Sequence, residues 1–218
     1  MGKAGVTGLS ANTPKHIMFG AGTIHKGLKY NSTKWNFDES IVGATSGGSK
    51  LSIKPKIKDI AVDGVDIKMA GLSVKTGETA TLEVNFLELT KDIIKAATLG
   101  VDGTSEDTKY DSIVSKSNIV KGDYWENIAF VGSLLETGEP VIAILENALC
   151  TSGFEPESKS GEESVGKFTF ECYGSLEKDL EKLPWKIYFP KSATALAAAN
   201  LINEEPGAGI QMNEGAKQ

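Results

Sequence analysis

Two histidines, two cysteines and one Gly/Ser-rich stretch are the parts of this chain whose residue types could do chemistry. Histidine is the side chain that exchanges protons near neutral pH. His16 and His25 stand at no recognisable spacing from a Cys, Asp or Glu, so neither is expected to be a catalytic base or a metal ligand. Cys150 and Cys172 alone make neither a disulfide framework nor a zinc site, and are expected as small buried apolar groups. Ala44-Thr-Ser46-Gly-Gly48 is one glycine short of a nucleophile elbow, which also needs a strand before it and a helix after it. Gly43 to Lys50 reads Gly-x-x-x-x-Gly-Ser-Lys. A phosphate loop needs Gly-Lys-Ser/Thr, because the lysine and the hydroxyl hold different ligands. The acid pairs Glu177 and Asp179, and Asp59 and Asp63, lack the Gly-rich loop of a calcium site and are expected as solvated surface. Asn31-Ser-Thr33 fits a glycosylation acceptor, but the opening residues lack the apolar segment of a secretory leader. No catalytic residue, metal or cofactor is expected, and no enzyme activity.

Composition narrows the classes further. The chain has 218 residues, 40% hydrophobic and 24% charged, with a formal net charge of −6. That length suits one large domain, or a domain with an extension. All 23 basic residues are Lys; there is no Arg. Arginine is the side chain of choice for a bidentate grip on phosphate, so its absence argues against tight nucleic-acid binding. Biased codon usage is also a sufficient cause. Residues 1–60 carry a net +6 and the remainder a net −12, an asymmetry that suits head-to-tail association. No apolar run approaches the roughly 18 residues of a membrane span.

The elements implied are mostly strands. Residues 78–86 alternate Ala80, Leu82, Val84 and Phe86 with polar neighbours, and residues 167–172 do the same with Phe168, Phe170 and Cys172. Residues 51–58 alternate too, with Pro55 marking an edge strand, and the apolar phase shifts past Asp59, implying a bulge or bend. A Thr-Gly turn is expected before the strand at 78. Residues 110–120 and 124–135 read as a hairpin across Lys121-Gly-Asp123. Residues 141–149 are apolar on both faces over their first half, so that strand needs cover on both sides, from its own domain or from a neighbouring subunit. Residues 185–189 read as a last strand. Thr90 caps a helix that stops at Gly100, and Ser175 caps a second one through Leu183. Residues 27–50 read as a long loop, in which Trp35 and Phe37 have no role unless they make contacts.

Several of these segments together resemble a known family. They are Gly20-Ala-Gly-Thr-Ile-His-Lys-Gly27, Gly43-Ala-Thr-Ser-Gly-Gly-Ser-Lys-Leu51, Ile57-Lys-Asp-Ile-Ala-Val-Asp-Gly64, Gly77-Glu-Thr-Ala-Thr-Leu-Glu-Val-Asn-Phe86, Asn147-Ala-Leu-Cys150 and Lys167-Phe-Thr-Phe-Glu-Cys-Tyr173. From about residue 15 to 190 the chain resembles the major tail proteins, or tail tube proteins, of long-tailed, non-contractile bacteriophages. The resemblance implies a mainly β fold: two packed antiparallel sheets, as a sandwich or barrel, with one flanking α-helix. It implies a β-domain over 1–190, with the loop 27–50 inside it, and a C-terminal arm over 191–218. It also implies a structural virion protein, assembled in the host cytoplasm, whose hexameric rings stack into the tube that conducts DNA. The implied partners are further copies of itself, other tail proteins and DNA passing without specific binding, with no membrane. Glu83 and Glu171, on the polar faces of the two cleanest strands, become candidates for the channel lining; an outward solvated face is the other option for each. Trp35 and Phe37 become candidates for contacts between rings. The competing reading is a β-sandwich binding module for carbohydrate or protein, with Trp35, Trp125 and Trp185 as a stacking platform.

Overall fold

The computed structural model describes residues 8–157, 160–161, 163–176 and 181–191. One compact unit spans Met1–Tyr188 and a second spans Phe189–Gln218. The expected arm at 191–218 therefore lies outside the described residues, apart from Lys191. Residues 177–180 of the expected second helix, with Glu177 and Asp179, lie outside them too.

The first unit is mainly β and antiparallel. Its strands are β1 (Met18–His25), β2 (Thr45–Asp59), β3 (Ser73–Phe86), β4 (Val101–Gly103), β5 (Ser112–Val114), β6 (Trp125–Leu134), β7 (Pro140–Cys150), β8 (Gly166–Cys172) and β9 (Trp185–Tyr188). Among the described residues two α-helices accompany them, α1 (Phe37–Ser40) and α2 (Lys91–Thr98). Seven strands form one curled sheet in the order β1-β6-β7-β8-β3-β2, with β9 also on β7, while β4 and β5 pair separately. The two expected layers are the two halves of this sheet, and β7 belongs to both. One edge of β7 pairs with β6 from Pro140 to Ala148; the other is divided, Ile142–Leu145 with β9 and Ala148–Cys150 with β8.

The turn from one half to the other is visible in the side-chain alternation. On β6, Trp125 faces the main core, and so do Ile128 and Phe130, so the inward parity changes between them. On β7, Leu145 and then Ala148 and Cys150 face the same core. Asn127, with φ of 50°, sits at the change. Asparagine tolerates this left-handed backbone better than most residues. The change explains the unbroken apolar run at 141–145. Ile142 and Ile144 fill a second, smaller core with Leu28 and Ala129, so β7 is covered on both faces within its own chain.

The main core lies between the halves. Leu82, Val84, Phe86, Phe168 and Phe170 come from one side, Ile24, Trp125 and Ile128 from the other, with Ile93, Ala96 and Ala97 of α2 against them. The Trp125 and Phe170 rings meet at 4.9 Å between centroids. Helix α2 forms because Thr90 Oγ1 accepts the Ile93 N–H at 3.4 Å and Asp92 complements the first turn. The left-handed cap falls on Leu99, not on the expected Gly100. Gly100 is needed for space: a Cβ there would lie 2.5 Å from Ile113 Cγ2.

Three connections differ from expectation. β5 pairs with β4, so residues 110–135 make no hairpin and Lys121–Asp123 is a single 3-10 turn. Residues 76–77 lie inside β3 and not in a turn; the bulge is there, opposite Lys56 and Ile57, three residues before the expected phase change. Residues 45–50 belong to β2 and not to a loop. Gly47 and Gly48, both at positive φ, bulge out of the strand, and Asn85 Nδ2 donates to the Gly47 and Gly48 carbonyls at 3.4 and 3.2 Å.

Phe170 is fully buried at the contact between the halves. Phe170→Ala is expected to cost about 3–5 kcal/mol, read as a lowered urea midpoint with an unchanged m-value.

Candidate assembly surface

The residues that could have held a reaction are dispersed. His16 is exposed in a 3-10 turn. Ser46 lies in the β2 bulge, without the strand-turn-helix frame an elbow needs. Cys150 and Cys172 are buried and unbridged; burial pushes the Cys172 thiol up to about 12 and raises Cys150 as well. Asn31 Oδ1 accepts the Thr33 and Lys34 N–H groups at 3.3 and 2.9 Å, closing a local turn. Asp59 is held by Lys68 at 2.6 Å and accepts the Ser73 hydroxyl at 2.6 Å; these contacts, Lys68 first, lower its pKa. No group of three His, Cys, Asp or Glu among the described residues is placed to hold a metal. A cleft of about 680 Å³ beside α2 is lined in part by charges that meet partners: Lys26 lies 3.6 Å from Asp92 and 4.3 Å above the Trp125 ring, and Asp123 pairs with Lys116.

His25 is the buried polar residue with a defined network. Its Nε2 lies 2.8 Å from Thr23 Oγ1 and its Nδ1 lies 2.9 Å from Ser40 Oγ. Ser40 donates its one hydroxyl hydrogen to the Asn36 carbonyl at 2.7 Å, so it accepts from His25 Nδ1–H. Thr23 then donates to Nε2. The imidazole is neutral, and it ties β1 to the segment around α1. Burial lowers its pKa from the ordinary 6.5, against a smaller upward pull from the Phe37 backbone.

Trp35 and Phe37, expected to make contacts outside the chain, are half-buried inside it. They pack against Leu28, Ala129, Ile142 and Ile144. Trp35 meets Tyr188 at 5.0 Å and Tyr30 at 5.5 Å, and Phe37 meets His25 edge-on at 5.7 Å. The three tryptophans form no common platform, since Trp125 is only 6% exposed in the main core.

Glu83 and Glu171 do come together. Glu83 stands opposite Thr169, and Thr81 opposite Glu171, so both acids project from the same outer face of β3 and β8. The register across β2 adds Lys50 opposite Glu83, Ser52 opposite Thr81 and Lys54 opposite Thr79. Lys50 Nζ reaches Glu83 at 3.0 Å. The face is therefore polar and of mixed sign, with Lys50, Lys54, Lys56 and Lys167 beside the two acids, instead of acidic throughout.

The largest feature that sequence reasoning missed is the β2–β3 hairpin. β2 is the outermost strand, as Pro55 implied, and its outer edge has no ladder partner among the described residues over its 15 residues. Beyond Pro55 the ribbon carries exposed apolar side chains: Ile57 at 65%, Ile67 at 73%, and also Ile60, Val62, Met69 and Val74. The odd apolar phase past Asp59 was the available signal. Further exposed apolar residues, Ile187, Tyr188 and Phe189, lie on and after β9, the edge strand of the other half.

No family model matches the chain, and no curated protein matches it. No helix among the described residues is long and apolar enough to cross a membrane.

Because the folded pKa of His25 is below 6.5, the unfolded chain takes up its proton first as the pH falls. Stability present above pH 6.5 is expected to be lost progressively below it. His25→Gln is expected to flatten thermal-melt midpoints between pH 7.5 and 5.5 relative to the unaltered chain.

Proposed function

We propose that this chain is a self-assembling structural subunit of the tail tube of a long-tailed bacteriophage. The observation that carries the reading is the β2–β3 hairpin. It runs past the core, exposes apolar side chains along its outer part and has a 15-residue strand edge that no described residue pairs. An isolated monomer has no use for such an edge, and sheets that present one are templates for another chain. Edge-to-edge joining of copies closes a ring and removes the edges; a second, head-to-tail contact stacks the rings. Six copies per ring is the number implied by the sequence resemblance. In that assembly the outer face of β2, β3 and β8 is the natural channel lining, with Glu83 and Glu171 on it.

The lining so formed suits passage over capture. Thr79, Thr81, Thr169 and Ser52 alternate with charges of both signs, and Lys50 is already paired with Glu83. There is no arginine to clamp a phosphate. DNA in such a channel meets a wet, weakly adhesive wall. The product is a virion part, with further tail proteins at its two ends, and the reading assigns the chain no catalytic step. Trp35 and Phe37 pack in part against the small core, and the exposed apolar hairpin is the larger surface for contacts between rings.

Concentrated purified protein is expected to form rings or hollow tubes, seen by negative-stain electron microscopy, and to sediment as polymer. A species that stays monomeric at every concentration and salt condition, alone and with tail extracts, contradicts the proposal.

A further inference from the structure

A concavity of about 320 Å³ opens over the small core, with Leu28 and Ile144 at its base. Ile144 projects from the face of β7 opposite the main core. The concavity and the outer face of β3 and β8 therefore lie on opposite sides of that core. Three aromatic rings wall it: Tyr30, Trp35 and Tyr188. The Trp35 plane stands at 55° to Tyr30 and 69° to Tyr188, so the rings form a bent wall with open faces and not a closed stack. Tyr30 and Tyr188 are exposed.

The chain itself fixes this wall. Tyr30 and Trp35 face each other across a β-bridge. The Lys29 N–H donates to Asn36 Oδ1 at 2.7 Å, and the Asn36 N–H donates to the Lys29 carbonyl at 3.2 Å. The Leu28 N–H donates to the Asn127 carbonyl at 3.2 Å, which holds the left-handed turn of β6 against the rim. The half-buried Asn127 side-chain amide there has no hydrogen-bond partner among the described residues. Glu146 and Lys186, paired at 2.5 Å, complete the rim.

A hexopyranose has an apolar face of C–H bonds and a rim of hydroxyls that both donate and accept. Ring faces, an uncommitted amide and a carboxylate–ammonium pair match that division. We infer that this concavity binds a neutral oligosaccharide, one hexose ring lying on Tyr30 and Trp35 with its hydroxyls on Asn127 and the Glu146–Lys186 pair. A phosphate-bearing ligand fits less well. Glu146 already takes the Lys186 charge, only Lys29 of the lining is left to meet a phosphate, and the chain has no arginine. The site does not rest on the tube reading; in a tube lined by β2, β3 and β8 it faces outward.

The test titrates full-length protein with chitohexaose, cellohexaose and maltohexaose, followed by saturation-transfer NMR and calorimetry. At least one is expected to bind. Tyr30→Ala and Asn127→Gly are each expected to weaken that binding on the order of tenfold. Glycine accepts the left-handed backbone at 127, and Tyr30 is exposed, so both variants are expected to keep the fold. Tyr110→Ala removes an exposed tyrosine outside the concavity and is expected to change nothing. If none of the three sugars binds at concentrations on the order of 10 mM, the inference is wrong. It is also wrong if both variants are folded by circular dichroism and bind as the unaltered chain does. Tubes without sugar binding overturn this site alone. Sugar binding that both variants weaken, in a chain that never assembles, upholds the site and overturns the tube reading.

Discussion

The architecture depends on one strand being shared. β7 pairs with β6 along one edge and divides its other edge between β9 and β8. Two neighbours on one edge diverge only if the strand turns between them. The left-handed Asn127 on β6 and the change in inward parity on both strands place that turn near Asn127 and Glu146. Two cores follow from it: a large one between the sheet halves, and a small one under Leu28, Trp35 and Phe37. A strand with both faces buried has no solvent side on which to place polar residues. This is why the run from Val141 to Leu145 is apolar throughout.

What the sequence revealed was local in origin. The strands at 78–86 and 167–172 show period-two alternation because each has one wet face and one dry face. The Thr90 cap is written within four residues. The edge position of β2 was legible from Pro55, since an inner strand cannot lose that N–H. What escaped was long-range. Gly43–Lys50 reads as a loop by composition, yet Asn85 holds the Gly47–Gly48 bulge into a strand. Trp35 and Phe37 read as candidates for contacts between rings, because their cover within the chain, Ile142 and Ile144, comes more than a hundred residues later. The shared face of Glu83 and Glu171 was legible, but their lysine neighbours were not, because strand register does not appear in a single segment.

The polar face and the hairpin divide the labour of the proposed assembly. The first is hydroxyl-rich with charges of both signs, a surface that water wets and phosphates leave. The second gathers apolar surface at one end, where it is kept off the core that stabilises the monomer. The proposed assembly surface and the core thus occupy different residues. The core packs around Phe86, Phe168 and Phe170, none of which reaches the hairpin tip.

The outer hairpin is a two-stranded ribbon with no second layer behind it. Ribbons of that kind are marginal in water when they stand alone. Its backbone is thus the part of the first unit cheapest to melt and costliest, in entropy, to immobilise. A growing polymer end offers a ready surface on which that cost is recovered in a single addition. A pair of free subunits recovers less of it. In the proposed tube, assembly would start slowly and lengthen quickly, leaving a pool of free subunits until a template is present.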